Sequence, residues 1–299
     1  MADTTQVSQP KHMALNSPGK VAPPVNARVL LAEDNPIDRL VFEEMLNQLG
    51  CRTDIVDDGR GAVEMVATGV YAVVLMDLQN PVMDKFLAVE KIREFERTEN
   101  TPRRIPIIAV IASALEGNSE KYLDAGMDDC LAKPVTLMRL REVLERWLIQ
   151  ENSHVRPQGM ASGLESTSVE CDPPELETGG FLLDQKALDN LRAVQREGAP
   201  NLLDKVIKIY FQDSRKHLQV LRDAVAEDNA AEMIGRAAHS LKSSSANLGA
   251  TRLAALCGDL EEMARENRIA GAKAILNEIE KLYPLVCESL AAECETAAG

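Results

Sequence analysis

Between residues 27 and 149, a short apolar run is followed by a helical pattern five times over; from Phe181 onward the period is helical and stays helical. The runs Arg28–Ala32, Thr53–Val56, Ala72–Met76, Ile107–Ile111 and Asp129–Leu131 read as strands. Pro36–Leu49, Gly59–Thr68, Asp84–Arg97, Asn118–Ala125 and Val135–Ile149 read as the helices that follow them. Repeated βα units predict an α/β, doubly wound, five-stranded parallel sheet with helices on both faces. Ligands of such sheets lie beyond the carboxyl ends of the strands.

The later segment carries three apolar stripes at helical spacing: Leu203, Ile207, Tyr210, Leu218, Leu221 and Val225; Ile234, Ala238, Leu241, Ser245 and Leu248; and Ile275, Ile279, Leu282 and Val286. With Leu253–Ala264 between the last two, they predict an all-α antiparallel four-helix bundle. The expected organisation is a polar, Pro-rich disordered tail over 1–26, an α/β domain over 27–150, a flexible linker over 151–180 and the bundle over 181–299. At 299 residues, two domains of ~150 residues are the natural division.

The formal net charge of −14 disfavours a nucleic-acid-binding surface, which must offer a basic face to phosphates, and disfavours docking on anionic membranes. The longest apolar run, Ile105–Leu115, contains Pro106 and is shorter than the ~20 residues a bilayer crossing takes. Residues 1–26 lack the apolar core of a signal peptide. The six cysteines, at 51, 130, 171, 257, 287 and 294, show no paired ligand spacing and read as reduced thiols of a cytoplasmic protein. The initial Met and the polar tail read as those of a stand-alone protein.

Three features fall at strand ends. Glu33–Asp34 follows the first strand, Asp77 the third, and Lys133–Pro134 the fifth. Folded as a doubly wound sheet, they converge at one edge. Crowded carboxylates repel, and oxygen ligands of this kind select Mg²⁺. An aspartate can attack phosphorus to form an acyl phosphate, while a cation and a lysine ammonium offset the charge on the transferring group. The expected roles are Asp77 as phosphoacceptor, Glu33 and Asp34 as metal ligands beside it, Lys133 on phosphoryl oxygen, and the Gln79 carbonyl completing the metal shell.

A second site lies on a predicted helix in Arg236–Ala250. His239 sits one position past the core residue Ala238 and is expected to point sideways and outward, with Lys242, Ser243 and Ala246 on the same stripe. A neutral imidazole there can attack an acyl phosphate, Lys242 can hold phosphoryl oxygens, and the small residues leave room for a partner's edge. His12 and His154 fall in the tail and linker, and His217 reads as a solvated side chain.

The segments VLLAEDNPIDRL (29–40), VLMDLQNPVMD (74–84) and AGMDDCLAKPV (125–135) resemble the receiver domains of two-component response regulators, across nearly all of 27–149. The segment HSLKSSSANLG (239–249) is similar to the histidine phosphotransfer (HPt) signature, over roughly 181–295. The resemblance implies a flavodoxin-like receiver joined to an HPt bundle: a phosphorelay protein that is a covalent carrier rather than an ATP-dependent kinase. A sensor histidine kinase would phosphorylate Asp77, and His239 would carry the group to a downstream response regulator, with the reverse direction chemically allowed. Asp77 and His239 either serve each other across the linker or serve outside partners.

Three positions depart from the receiver pattern. Ile111 stands where a Thr or Ser is usual, Cys130 where an aromatic is usual, and Lys85 where Gly is usual. Loss of a hydroxyl hydrogen bond to a charged oxygen, roughly 1.5–3 kcal/mol, implies phosphoryl handling weaker by about 10- to 100-fold. Ser113 and Ser119 lie nearby without being assigned as substitutes. The paired loss of hydroxyl and aromatic implies a receiver that keeps its chemistry and weakens its switching. Two rival readings are a pseudo-receiver that only docks partners beside an active HPt domain, and a phosphate sink in which Asp77 drains phosphoryl from His239 by hydrolysis.

Overall fold

The structure, a computed structural model, describes residues 26–78, 85–99, 104–112, 119–148, 182–196, 198, 200–227 and 230–296. Most of the expected tail, all of the expected linker, Gln79 and Ser113 lie outside these residues. None of the described helices is long and apolar enough to cross a membrane.

The first half alternates strand and helix: β1 (Arg28–Ala32), α1 (Pro36–Gln48), β2 (Arg52–Val56), α2 (Gly59–Val66), β3 (Val73–Asp77), α3 (Lys85–Thr98), β4 (Ile107–Ala112), α4 (Ser119–Asp124), β5 (Asp129–Lys133) and α5 (Leu137–Leu148). The strands form one parallel sheet in the order β2-β1-β3-β4-β5. Successive residues of a strand point to opposite faces. Val29, Leu31, Val73, Leu75, Ile108, Val110 and Leu131 therefore pack with α1 and α5. Leu30, Ala32, Val74, Met76, Ile107, Ala109 and Ile111 pack with α2, α3 and Tyr122 of α4. Each such Val, Leu, Ile or Met side chain contributes roughly 1.5–3 kcal/mol on burial, which is why the central strands read as unbroken apolar runs.

The second half is helical: α6 (Gln185–Ala193), α7 (Leu202–Ala226), α8 (Ala231–Asn247), α9 (Thr251–Arg265) and α10 (Ala272–Thr296). The four long helices make the bundle, and the short α6 packs on α7 and α8. Val225 and Ile275 of the predicted stripes are only partly buried. The turn from α8 to α9 bends at Gly249, whose φ of +74° suits a residue without a Cβ. The Gly249 carbonyl accepts from the Asp184 N–H at 2.8 Å, tying the start of α6 to this turn.

The α1 face of the sheet does not end at solvent. Its apolar cluster runs from Phe42, Met45, Leu46 and Leu49 into Leu191, Val194, Leu203 and the bundle core. Helix α1 packs against both α7 and α8.

Candidate functional site

Parallel pairing brings three strand ends to one edge. Asp77 closes β3, opposite Val110, and Lys133 closes β5, opposite Ala112. Glu33 follows β1 and stays in register because its N–H donates to the Val56 carbonyl at 3.0 Å. Sequence spacing placed Asp77 and Lys133 just past their strands; both are the last paired residue instead. Lys133 is joined to Pro134 by a cis peptide bond.

Glu33, Asp34 and Asp77 each offer a carboxylate oxygen, and these oxygens lie within 4.8 Å of one another. Glu33 is 0% exposed and Asp77 1%. Lys133 Nζ stands 2.9 Å from Glu33 Oε2, 2.6 Å from Asp38 Oδ2 and 3.5 Å from Asp77 Oδ2. Burial pushes the Glu33 carboxyl up to about 8, against the pull of Lys133 and with the repulsion of Asp77 and Asp38. Burial alone would lower the Lys133 pKa, but Asp38, Asp77 and Glu33 outweigh it and hold it well above the usual lysine range. Among the described residues, three carboxylates thus share the Lys133 ammonium, and Asp34 adds a fourth to the cluster. That donor set, all oxygen and carboxylate-rich, fits a hard divalent cation.

Asp38 was missed in the sequence. Its only signal is its place one helical turn after Asp34, and an acid in the first turn of a helix is ordinary. Asn35 was missed too. Its Oδ1 caps α1, accepting from the N–H of Ile37 at 2.9 Å and of Asp38 at 3.2 Å.

The departures from the expected pattern are now located. Ile111 is fully buried on the α2–α3 face of β4, in an apolar cluster. Cys130 is partly buried on β5. Lys85 is buried at the start of α3, its stem lying where a Cβ on Gly59 would meet it at 3.8 Å. The side chain of Ser119 is not among those described.

On α8, His239 Nδ1 lies 3.0 Å from Glu261 Oε1 of α9, and Lys242 Nζ lies 3.1 Å from Glu261 Oε2. A carboxylate only accepts, so the ring's proton belongs on Nδ1 and the lone pair on Nε2. Burial opposes ionisation of Glu261, but His239 and Lys242 outweigh it and hold the carboxyl below its usual range. The expected stripe divides: Lys242 turns to Glu261, whereas Ser243 donates to Asp38 Oδ2 at 2.6 Å. Ser243 is a bonding group, not only a small spacer. The imidazole is less exposed than the sequence suggested, at 11%, because it lines a cavity instead of open surface.

That cavity, about 670 Å³, sits where the two halves meet and is lined by Asp34, His217, Arg236, His239, Ser240 and Glu261 among others. His217 is therefore not the solvated side chain expected: it is 24% exposed and its Nε2 contacts Asp213 Oδ2 at 2.9 Å. Around the cavity, α1 is bonded to α8. Asn35 Nδ2 donates to the Ser240 carbonyl at 3.1 Å and to Ser244 Oγ at 3.0 Å, and Asn247 Nδ2 donates to Asp38 Oδ1. Farther along, Arg196 Nη2 reaches Glu44 Oε2 at 3.2 Å, and Gln48 Nε2 reaches the Ala193 carbonyl at 3.5 Å.

Residues 29–145 match the response regulator receiver domain, and residues 205–293 match the Hpt domain. The chain is a receiver–Hpt fusion. It is similar to the "Sensor protein GacS" of Pseudomonas syringae pv. syringae, 28% identical over 264 residues, which is 87% of this chain and 27% of that protein. "Histidine kinase 5" of Arabidopsis thaliana is 36% identical over 143 residues, 40% of this chain and 16% of that protein. The chain thus spans about a quarter, or less, of the length of these curated relatives. Among solved structures, it is similar to the receiver domain of sensor histidine kinase PA1611 from Pseudomonas aeruginosa PAO1, which has a magnesium ion in its active site cleft. The two are 42% identical over 42% of this chain and 98% of that one, with a TM-score of 0.37. Receiver and Hpt domains are phosphotransfer modules, and their fusion carries a phosphorelay signalling role.

Proposed function

We propose that this receiver–Hpt fusion relays a phosphoryl group between Asp77 and His239 within one chain, as a covalent carrier and not as a kinase. The observation that supports this most is the α1–α8 interface, which puts Asp34, neighbour of Asp77 in the acidic cluster, and His239 on the walls of one cavity.

Starting from an acyl phosphate on Asp77, the Nε2 lone pair of His239 attacks phosphorus. The P–N bond forms, the P–O bond to Asp77 breaks, and Asp77 leaves as a carboxylate. Glu261 holds the Nδ1 proton and favours the cationic ring that results. Lys133 is within reach to follow the phosphoryl oxygens. In reverse, an Asp77 oxygen attacks and the P–N bond breaks. Glu33, Asp34 and Asp77 would hold Mg²⁺, with the Gln79 carbonyl as a further ligand; when bound, the ion offsets charge on the phosphoryl oxygens. Lys242, paired with Glu261, is the second ammonium beside the transfer path.

On this reading the partners are a sensor histidine kinase upstream and another response regulator downstream, with the chain at work in the cytoplasm. The domain limits are those expected from the sequence, 27–150 and 181–299.

The test is labelling of the full chain with a radiolabelled small acyl phosphate and Mg²⁺, comparing wild type, Asp77→Asn and His239→Gln. Label on both residues, with His239 label dependent on Asp77, is expected. Label reaching His239 at the wild-type rate in Asp77→Asn would reduce the receiver to a docking module, and label appearing chiefly as free phosphate would make Asp77 a sink.

A further inference from the structure

Both oxygens of one buried carboxylate are spoken for by opposite sides of the domain boundary. Asp38 is 3% exposed. Its Oδ2 accepts from Lys133 Nζ at 2.6 Å within the receiver and from Ser243 Oγ at 2.6 Å across the boundary, and its Oδ1 accepts from Asn247 Nδ2, also across it. The same ammonium stands 3.5 Å from Asp77 Oδ2, so it leans toward Asp38 rather than toward the acceptor.

We infer that Asp38 is a positioning residue that couples docking of the Hpt helix α8 to the placement of Lys133, through the oxygen that Lys133 and Ser243 share. A carboxylate oxygen has room for few donors, and each added donor draws down the charge left for the others. With Ser243 Oγ on Oδ2 and Asn247 on Oδ1, Asp38 keeps Lys133 at 2.6 Å but with less charge left to hold it, so the ammonium turns more readily to a phosphoryl group on Asp77. With those donors gone, Asp38 holds Lys133 more tightly and phosphoryl transfer at Asp77 slows. Correct docking thereby tunes the receiver's own chemistry before any atom of His239 is involved. Asp38 itself touches neither the phosphoryl group nor the imidazole.

The inference rests on the reading of Asp77 as acceptor and Lys133 as its ammonium. Its test is a reaction in which His239 takes no part: the initial rate of Asp77 labelling by a small acyl phosphate with Mg²⁺, in full-length chains that all carry His239→Gln. Ser243→Ala is expected to slow this rate by about three- to tenfold, less than the full loss of a hydrogen bond to a charged group, because Ser243 reaches Asp77 only through Asp38 and Lys133. In the Asp38→Asn background the same substitution is expected to do nothing more. Ser243→Thr, which keeps the hydroxyl, should restore the rate. A purely adhesive interface predicts that Ser243→Ala leaves Asp77 labelling untouched. An unchanged or faster rate, or an equal slowing with and without Asp38→Asn, overturns the inference while leaving Asp77 an acceptor. Absence of label in the parent chain overturns the acceptor reading and the inference with it.

Discussion

Glu261 of α9 holds His239 of α8 by its Nδ1 edge at 3.0 Å, and in the same stroke takes the Lys242 ammonium on its other oxygen at 3.1 Å. One carboxylate thus sets the tautomer of the ring and the resting place of the nearest cation. Glu261→Ala releases both. The rate of phosphoryl transfer from Asp77 to His239 should fall about tenfold, a change of roughly 1.4 kcal/mol in the barrier. Glu261→Gln keeps an oxygen for the Nδ1 proton and should lose less. Rapid-quench measurement of the histidine-bound label decides it; equal rates in all three proteins would show that the ring needs no such support.

Ile111 marks where a hydroxyl was expected and an apolar core residue stands. It is wholly buried among Ala109, Met76 and Ile107. Ile111→Thr inserts a hydroxyl into that cluster, and the polar group should destabilise the receiver by about 1–3 kcal/mol. A beryllofluoride mimic of the phosphoryl group, added with Mg²⁺, should recover part of that loss if the hydroxyl reaches the mimic. Denaturant unfolding with and without the mimic tests both halves. A companion comparison by relaxation-dispersion NMR should show only a small rearrangement of α4, β5 and α5 in wild type on adding the mimic.

Tyr71 braces β1 to β2 from the side. Its hydroxyl donates to Asp54 Oδ2 at 2.8 Å, and the Arg28 guanidinium lies over its ring at 5.0 Å. The Tyr71 hydroxyl, opposed by partial burial and helped by Arg28, holds the Asp54 carboxyl below its usual range. A depressed carboxyl contributes stability that is present above its ordinary pKa and is lost as pH falls through the lower folded value. Tyr71→Phe should cost about 0.5–1.5 kcal/mol at pH 7 and less at a pH low enough to protonate Asp54 in both states. Urea melts at the two pH values check it; a penalty that grows on acidification contradicts the arrangement.

Gly249 combines a positive φ with a crowded neighbour: a Cβ there would stand 2.5 Å from the Asp184 carbonyl oxygen and 2.9 Å from its nitrogen. Neither backbone atom can step aside without loosening α6 from the α8–α9 turn. Gly249→Ala should therefore destabilise the bundle by about 2 kcal/mol or more. Gly69, which also has positive φ but open space around it, is the control: Gly69→Ala should cost only the backbone strain, about 1 kcal/mol.

How far the sequence carried the structure follows from the range over which each signal acts. The strand starts at Arg28, Ile107 and Asp129 were legible because apolar runs and turn residues are local. The end of β5 was not: Ala132 and Lys133 are in the strand only because Ile111 and Ala112 pair with them. Likewise α5 begins at Leu137, two residues later than its periodicity suggested, after the turn at Pro134. The acidic cluster was legible because three strand ends of a doubly wound sheet must converge. Asp38 and Ser243, 205 positions apart, were not, since no periodicity on either helix records which helix it will meet. For the same reason His217 read as solvent-facing: its cavity exists only once α7, α8 and the receiver are assembled.

The ion pair between Arg196 and Glu44 lies at the far end of α1 from the acidic cluster, so it can be altered without touching the candidate chemistry. Arg196 is exposed, and its contribution is therefore screened by salt. Arg196→Glu places two like charges at the boundary and should lower the fraction of chains in which α1 rests on α8. Transfer from Asp77 to His239 within one chain should slow, most at low ionic strength, while labelling of Asp77 itself changes little. Adding Glu44→Arg restores opposite charges and should return the transfer rate toward wild type. The concentration dependence separates the routes: transfer inside one chain has a rate independent of protein concentration, whereas transfer between chains rises with it. A wild-type rate that scales with concentration, or a charge reversal without effect at low salt, would show that the α1–α8 contact does not serve the transfer.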